Sequence, residues 1–341
     1  MAPSIDAPGV LRALHCRREV PVGRAVVTAM QPSRHFQVGP PAGSPNDVVN
    51  PIRSVVLKQC RLIWSPVMVD RLAILLERFA VTASVFHAGA LCGINTLEGE
   101  DEAGQLHLVR RGPLQVSHGQ QTVQVEAPSL LLYPRPMPHR FITDPQLGAD
   151  MACANLHFEG GRLNPISAAL PDFICLPLAD LYGGHAALEL LFEEAFEQRC
   201  GRAAMVNRLF EVVMIQVLRQ LMEGGEMRGG LFAGLGHPRL RLALVAMHAA
   251  PAQAWTLEDL ADVAGMSRSV FAASFREAMG TTPGHYLQGW RVGLAQQALR
   301  QGRPLKRIAD DVGYGSEAAL SRAFKAHTGQ SPREWLSLIH I

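Results

Sequence analysis

At 341 residues the chain is about twice the usual single-domain size, which predicts two domains with additional segments. Hydrophobic residues at 48% and charged residues at 18% exclude a wholly disordered chain, and 32 Lys+Arg against 30 Asp+Glu give a formal charge of +2 that by itself neither demands nor forbids a nucleic-acid partner. No run of about 18 uncharged apolar residues occurs, and Pro3, Pro8, Arg12, Arg17 and Arg18 stand where a secretion leader needs an apolar stretch, so a cytoplasmic location without a membrane partner is expected. Six cysteines without dense regular spacing are expected as reduced thiols.

Residues 1–66 are rich in proline, from Pro3 to Pro66, with no sustained period of 2 or 3.6, and read as a disordered extension. Near Met68 the pattern changes: MVDRLAILLERF places Leu72, Leu75, Leu76 and Phe79 on one helical face and suggests Met68 as the natural start. Seven short alternating segments follow, VTASVF, QLHLVRRG, LQVSHG, QTVQVE, SLLLYP, HRFIT and MACANLHF, broken by glycine and proline. Their spacing predicts a β sandwich or barrel over 67–180. Helical periodicity then takes over in 181–223, through Leu188, Leu191, Phe192, Ala195 and Phe196, and through Val206, Leu209, Phe210, Val213, Val217 and Leu221. Gly224, Gly225, Gly229, Gly230, Gly234 and Gly236 predict a flexible linker over 224–236, too pliant to transmit a torque.

The most informative feature lies in 237–341, where a segment recurs about 48 residues on: Leu257, Leu260, Ala261, Gly265, Phe271, Phe275, Gly280 and Pro283 match Leu305, Ile308, Ala309, Gly313, Leu320, Phe324, Gly329 and Pro332. In each copy the signals are helix, tight turn, helix. Thr256 with Asp259 forms a capping box for the first helix, Gly265 supplies the turn, and Ser267 caps the second helix; Gly313 and Ser316 repeat the last two parts. Small Ala261 and Ala309 let the paired helices cross closely. This is the pattern of a helix-turn-helix, whose second helix enters the DNA major groove. From His237 onward 12 Lys+Arg face 8 Asp+Glu, a net +4, so positive charge collects where phosphate neutralisation needs it.

The strings TLEDLADVAGMSRSVFAASFREAMGTTPGHYLQGWRV and IADDVGYGSEAALSRAFKAHTGQSPREW resemble the DNA-binding domain of AraC/XylS-type transcription regulators. The resemblance implies two helix-turn-helix units joined by a long helix, here about Pro283 to Arg300. It puts Arg268, Ser269, Ala272, Ala273 and Arg276 on the DNA-facing side of the first reading helix, and Ser316, Glu317, Ala318, Ser321, Arg322 and Lys325 on that of the second. With two alanines, the first helix is suited to phosphate and thymine-methyl contacts, while Arg322 is the candidate for a base contact, to guanine.

The β-rich segment is also similar to the cupin-like sensing domains of that family, through GQLHLVRRGPLQVSHG with His107, SLLLYPRPMPHRF with His139, and FHAGALCG. His87, Cys92, His107, His139 and Cys153, with His157, make a candidate zinc or iron set, although no compact zinc motif is matched and Leu-His-Leu replaces the usual His-x-His. Cys92 with Cys153 as a thiol redox pair is a second reading of the same residues.

The sequence therefore predicts an α+β chain: an N-terminal cupin-like β-barrel with a helical dimerisation segment, then an all-α DNA-binding domain of two helix-turn-helix units. The expected function is a non-enzymatic transcription regulator, an activator, with double-stranded DNA, a small-molecule effector, RNA polymerase and a second copy of the chain as partners. The alternative is a metal-dependent cupin enzyme with an accessory DNA-binding domain, which would need a fuller ligand set including a carboxylate.

Overall fold

The computed structural model describes residues 70–98, 103–224 and 229–339, all within one compact unit. The expectations for residues 1–66 and for Met68 lie outside the described residues. After a short helix α1 (Ala73–Arg78) come nine strands: β1 (Val81–Leu91), β2 (Ile94–Leu97), β3 (Gly104–Arg111), β4 (Leu114–His118), β5 (Gln121–Val125), β6 (Ser129–Tyr133), β7 (His139–Thr143), β8 (Ala149–Phe158) and β9 (Ile174–Pro177), with helix α2 (Pro165–Ala169) before the last. Each of the seven alternating segments forms a strand.

The strands make two sheets, ordered β1-β8-β3-β6-β9 and β2-β7-β4-β5, with antiparallel pairing throughout. They are packed as two open layers and are not closed into a barrel. The central strands β8, β3 and β6 of the five-stranded sheet are buried on both faces, so SLLLY and most of GQLHLVRR are inaccessible, while the outer strands β1 and β9 are partly exposed. Val109, Leu131, Met151 and Cys153 point toward Leu114, Val116 and Phe141 of the second sheet. Their neighbours Leu106, Leu108, Leu130, Leu132, Ala152 and Ala154 point the other way, into a core shared with helices α3 (His185–Phe196) and α4 (Arg202–Glu223).

Helix α4 also completes the edge of that sheet. The backbone N–H of Val85 donates to Asn207 Oδ1 at 2.8 Å and that of Ala83 to Glu211 Oε1 at 3.2 Å, so two outward-facing donors of β1 find side-chain acceptors.

The second half of the glycine-rich stretch departs from the expected flexible linker, while 225–228 lie outside the described residues. Residues 231–236 form helix α5 (Leu231–Gly236), in which Leu231, Phe232 and Leu235 are buried. Two of its glycines serve close approach: a methyl group on Gly234 would strike Met279 and Leu244, and one on Gly236 would lie 2.5 Å from the Met222 carbonyl oxygen. Gly230 adopts φ +85°, ψ −164°, a conformation open essentially to glycine alone, and its N–H donates to the Ala278 carbonyl at 2.9 Å.

Helix α6 (Leu240–Ala249) leads into the repeat: α7 (Leu257–Val263) and α8 (Arg268–Met279), the connecting α9 (Pro283–Arg300), then α10 (Leu305–Asp311) and α11 (Glu317–Thr328), closed by α12 (Pro332–Ile339). The Thr256/Asp259 capping box forms as expected. Ser316 caps α11 by accepting from Ala319 N–H at 3.2 Å, whereas Ser267 stands at the N-cap of α8 without a side-chain bond. Both turn glycines are left-handed, Gly265 at φ +62° and Gly313 at φ +82°. Phe271, Phe275, Leu320 and Phe324 are fully buried under the two hairpins.

Candidate nucleic-acid interface and a buried histidine pair

Helix α9 fixes the spacing of the two hairpins. Its 18 residues span about 27 Å at 1.5 Å per residue, about four-fifths of the roughly 34 Å turn of duplex DNA, which suits two reading helices placed in successive major grooves. Arg291, midway along it, locks the arrangement. Its guanidinium donates to the carbonyls of Pro251 (2.7 Å) and Gln253 (2.8 Å) in the loop before α7, and lies over the Tyr314 ring of the second unit at 5.6 Å. The loop thus held abuts the turn of the second unit: a methyl group on Gly313 would sit 2.6 Å from both Cα and O of Ala252.

On α8, Phe271 and Phe275 face inward, while Arg268, Ser269, Ala273 and Arg276 are exposed on the outer side and Ala272 is half-buried. On α11, Glu317, Ala318, Arg322 and Lys325 are exposed and Ser321 is half-buried. Ser316 is exposed as well; its hydroxyl oxygen accepts from Ala319 N–H as the helix cap, which leaves its O–H able to donate outward. Arg268, Arg276 and Arg322 enter no ion pair among the described residues, whereas Arg199 gathers Glu193, Glu194 and Glu197 around it. Unpaired guanidiniums need no partner displaced before they meet phosphate. Residue-by-residue reading missed Val270, which is 52% exposed in the first turn of α8.

The expected metal set does not assemble. His107 and His139 do meet, with Nε2 atoms 3.1 Å apart between the sheets. Cys153 is the cross-strand partner of both His107 and His87, but β8 separates those two histidines by two strand spacings, about 9.5 Å of backbone. His157 shares the strand face of Cys153 as expected, yet it is exposed and hydrogen-bonds Ser84 Oγ at 3.0 Å. Cys92 is disulfide-bonded, against the expectation of reduced thiols and of a Cys92–Cys153 pair, while Cys153 is free and buried, its thiol held far above the usual range by desolvation. Among the described residues no three His, Cys, Asp or Glu side chains converge in a metal-holding group.

What the sandwich contains instead is a file of polar rings. His139 Nδ1–H donates to the Met137 carbonyl at 2.8 Å, which leaves its Nε2 as an acceptor for His107 Nε2–H. That assignment makes His107 Nδ1 a bare acceptor, and it is buried with no partner. Tyr133 stacks on His139 at 4.2 Å and bonds His118 Nδ1 at 3.0 Å. Burial, with the neighbouring His139 and His87, holds the His107 pKa well below the usual histidine value, and burial brings His139 down to about 4. His118 and Tyr133 were missed in the sequence, although both end predicted strands, where a polar ring can reach inward.

The two parts of the chain are in contact. Phe79 meets Trp290 edge-on at 5.3 Å, Gln297 on α9 donates to the Arg78 carbonyl (2.5 Å) and to Glu159 Oε1 (2.8 Å), and Arg300 Nη1 donates to the Gly160 carbonyl (2.8 Å). The helix that spaces the two hairpins is therefore also the docking rail for the β domain.

A duplicated helix-turn-helix carried on one long helix behind a two-sheet β domain defines a two-domain helix-turn-helix protein. A cupin family model matches residues 70–223 and a helix-turn-helix domain model matches residues 260–337. The chain thus carries a cupin domain followed by a helix-turn-helix domain, and it is similar to proteins named AraC-like transcription regulators. It is 39% identical over 151 residues to a putative AraC-like transcription regulator of Streptomyces lividans, covering 44% of this chain and 50% of the relative. To the HTH-type transcriptional regulator AlkR of Acinetobacter baylyi it is 37% identical over 184 residues, 52% of this chain and 60% of the relative. To the RCS-specific HTH-type transcriptional activator RclR of Escherichia coli it is 33% identical over 150 residues, 44% of this chain and 53% of the relative. The chain thus spans about half to three-fifths of the length of these relatives. None of the described helices is long and apolar enough to cross a membrane.

Proposed function

We propose that the chain is a sequence-specific DNA-binding transcription regulator, an activator acting in the cytoplasm, whose N-terminal domain responds to a small-molecule effector. The observation that carries the reading is the duplicated hairpin on α9, with unpaired Arg268, Arg276 and Arg322 on its outer side. Arg322 reads guanine in the second groove; Arg268, Ser269, Ala272, Ala273 and Arg276 supply the first contact, and Glu317, Ala318, Ser321 and Lys325 border Arg322. One copy of the chain pairs with another through α3 and α4, and RNA polymerase is the downstream partner of the bound dimer.

The effector site is the polar file between the sheets. A fully buried acceptor without a donor costs about 1–3 kcal/mol, and an effector bearing a hydroxyl or amide N–H would satisfy His107 Nδ1. The signal then passes by contact, through Phe79, Arg78 and Glu159 to Trp290 and Gln297, the groups that join the β domain to α9. Relatives named as transcription regulators support a non-enzymatic role. The test is footprinting of the purified chain on the DNA flanking its own gene, with and without substrates of neighbouring enzymes. Protection of two segments about one helical turn apart is expected; uniform binding to all DNA would overturn the reading.

A further inference from the structure

The fold gives no reason for Val270. It is the third residue of α8, 52% exposed, on the side of the helix away from Phe271 and Phe275. A β-branched residue is a weaker helix former than alanine, and an exposed one gains nothing from packing. The internal repeat supplies a comparison: Phe271 corresponds to Leu320, so Val270 corresponds to Ala319, a smaller residue that is half-buried. The first unit therefore projects an aliphatic side chain where the second does not. Its neighbours on the outer face, Ser269 and Ala273, are short, so Val270 stands clear of them.

In a helix-turn-helix the N-terminal residues of the second helix meet base edges in the major groove. There only thymine offers an apolar group, its C5-methyl. We infer that Val270 is a specificity-determining residue that packs on a thymine methyl in the first half-site. The two units then read by different chemistry, the first by apolar contact and the second by the Arg322 guanidinium. The inference rests on the DNA-binding reading above, and names the base that its first unit selects.

The experiment uses the full chain. Binding sites are selected from a random duplex pool, and each thymine of the selected site is replaced in turn by deoxyuridine, which removes the methyl group and keeps the Watson–Crick edge. Wild type is expected to lose about fourfold in affinity at one thymine of the first half-site, the size of one buried methyl group. Val270→Ala is expected to bind with equal affinity whether that position carries thymine or deoxyuridine. Val270→Thr, which keeps one methyl and the branched shape, should retain part of the sensitivity. Exposure of the side chain means that neither variant disturbs the core. Wild type insensitive to every substitution, or Val270→Ala as sensitive as wild type, would overturn the inference while leaving DNA binding intact. A pool that never enriches would instead overturn the DNA-binding reading itself, and this inference with it.

Discussion

The two turn glycines of the repeat occupy equivalent places and should respond very differently to the same substitution. Alanine at Gly265, at φ +62°, meets open space, so its cost is that of a left-handed L-residue alone, about 1–2 kcal/mol. Alanine at Gly313, at φ +82°, carries that cost and also drives its Cβ to 2.6 Å from the Cα and carbonyl oxygen of Ala252. Relief would require the backbone of the loop before α7 to move, and Arg291 holds that loop at Pro251 and Gln253. Forced overpacking adds about 1–3 kcal/mol, giving a total of about 2–5 kcal/mol for Gly313→Ala. Urea denaturation of wild type and both variants, followed by circular dichroism, measures the difference. Gly313→Ala should also lose cooperative binding to the two half-sites, because the displaced loop is the part that sets one hairpin against the other. Equal midpoints for the two variants would refute the reasoning, since conformational cost would then be the whole effect and the wedge against Ala252 would carry none.

Arg322→Ala should cost about 1–3 kcal/mol on the selected site and relax discrimination at one base pair; equal weakening on random DNA would reassign Arg322 to a phosphate. A Gly/Ser segment inserted after Gly230 should lower the thermal stability of the helical region, because it breaks the Gly230–Ala278 hydrogen bond and unseats Leu231 and Phe232; a variant as stable as wild type would restore the flexible linker. The buried histidines set a pH window. Unfolded His139 takes up a proton from about pH 6.5 downward, while the native ring stays neutral to about 4, so its contribution to stability should be flat above that range and fall through it by about 1.4 kcal/mol per pH unit, with buried His107 and His248 adding to the slope. His139→Phe should reduce the measured slope by about 1.4 kcal/mol per pH unit in urea titrations between pH 4 and 6.5, leaving the share of buried His107 and His248, and an unchanged slope would place the protonation elsewhere.

Much of this arrangement is legible in the sequence, for identifiable reasons. Strands with a strict period of 2, such as Leu114–His118, and helices with long apolar stripes, such as Arg202–Glu223, declare themselves. The boundaries Pro283–Arg300 follow from a proline at the start of α9 and a turn after it. Two strands escape notice because each has only four residues: Ile94–Leu97 follows a turn, and Ile174–Pro177 ends in proline. The glycine-rich stretch misleads because composition cannot distinguish a glycine that frees the chain from one that lets two helices touch, and Gly234 and Gly236 are of the second kind. The metal set misleads in a related way. Residues sharing a strand face, such as Cys153 and His157, can be far apart along it, and ligand types alone do not reveal the intervening strand between His87 and His107. The outer faces of α8 and α11 are legible through the repeat, which fixes Phe271 and Leu320 inward and so defines what faces out.

The bonds from Asn207 and Glu211 to the backbone of β1 have a consequence for aggregation. An uncovered edge strand invites another strand to add to it, and β1, at 11 residues, would be a long template. Helix α4 is therefore a guard as well as a candidate pairing surface. Any rearrangement that lifts α4 off the sheet exposes N–H groups that a second copy of the chain can capture by strand addition, leading toward polymers instead of dimers. Movement at this helix must stay within the reach of those two side chains, which confines signalling to tilts and slides that leave Val85 and Ala83 bonded.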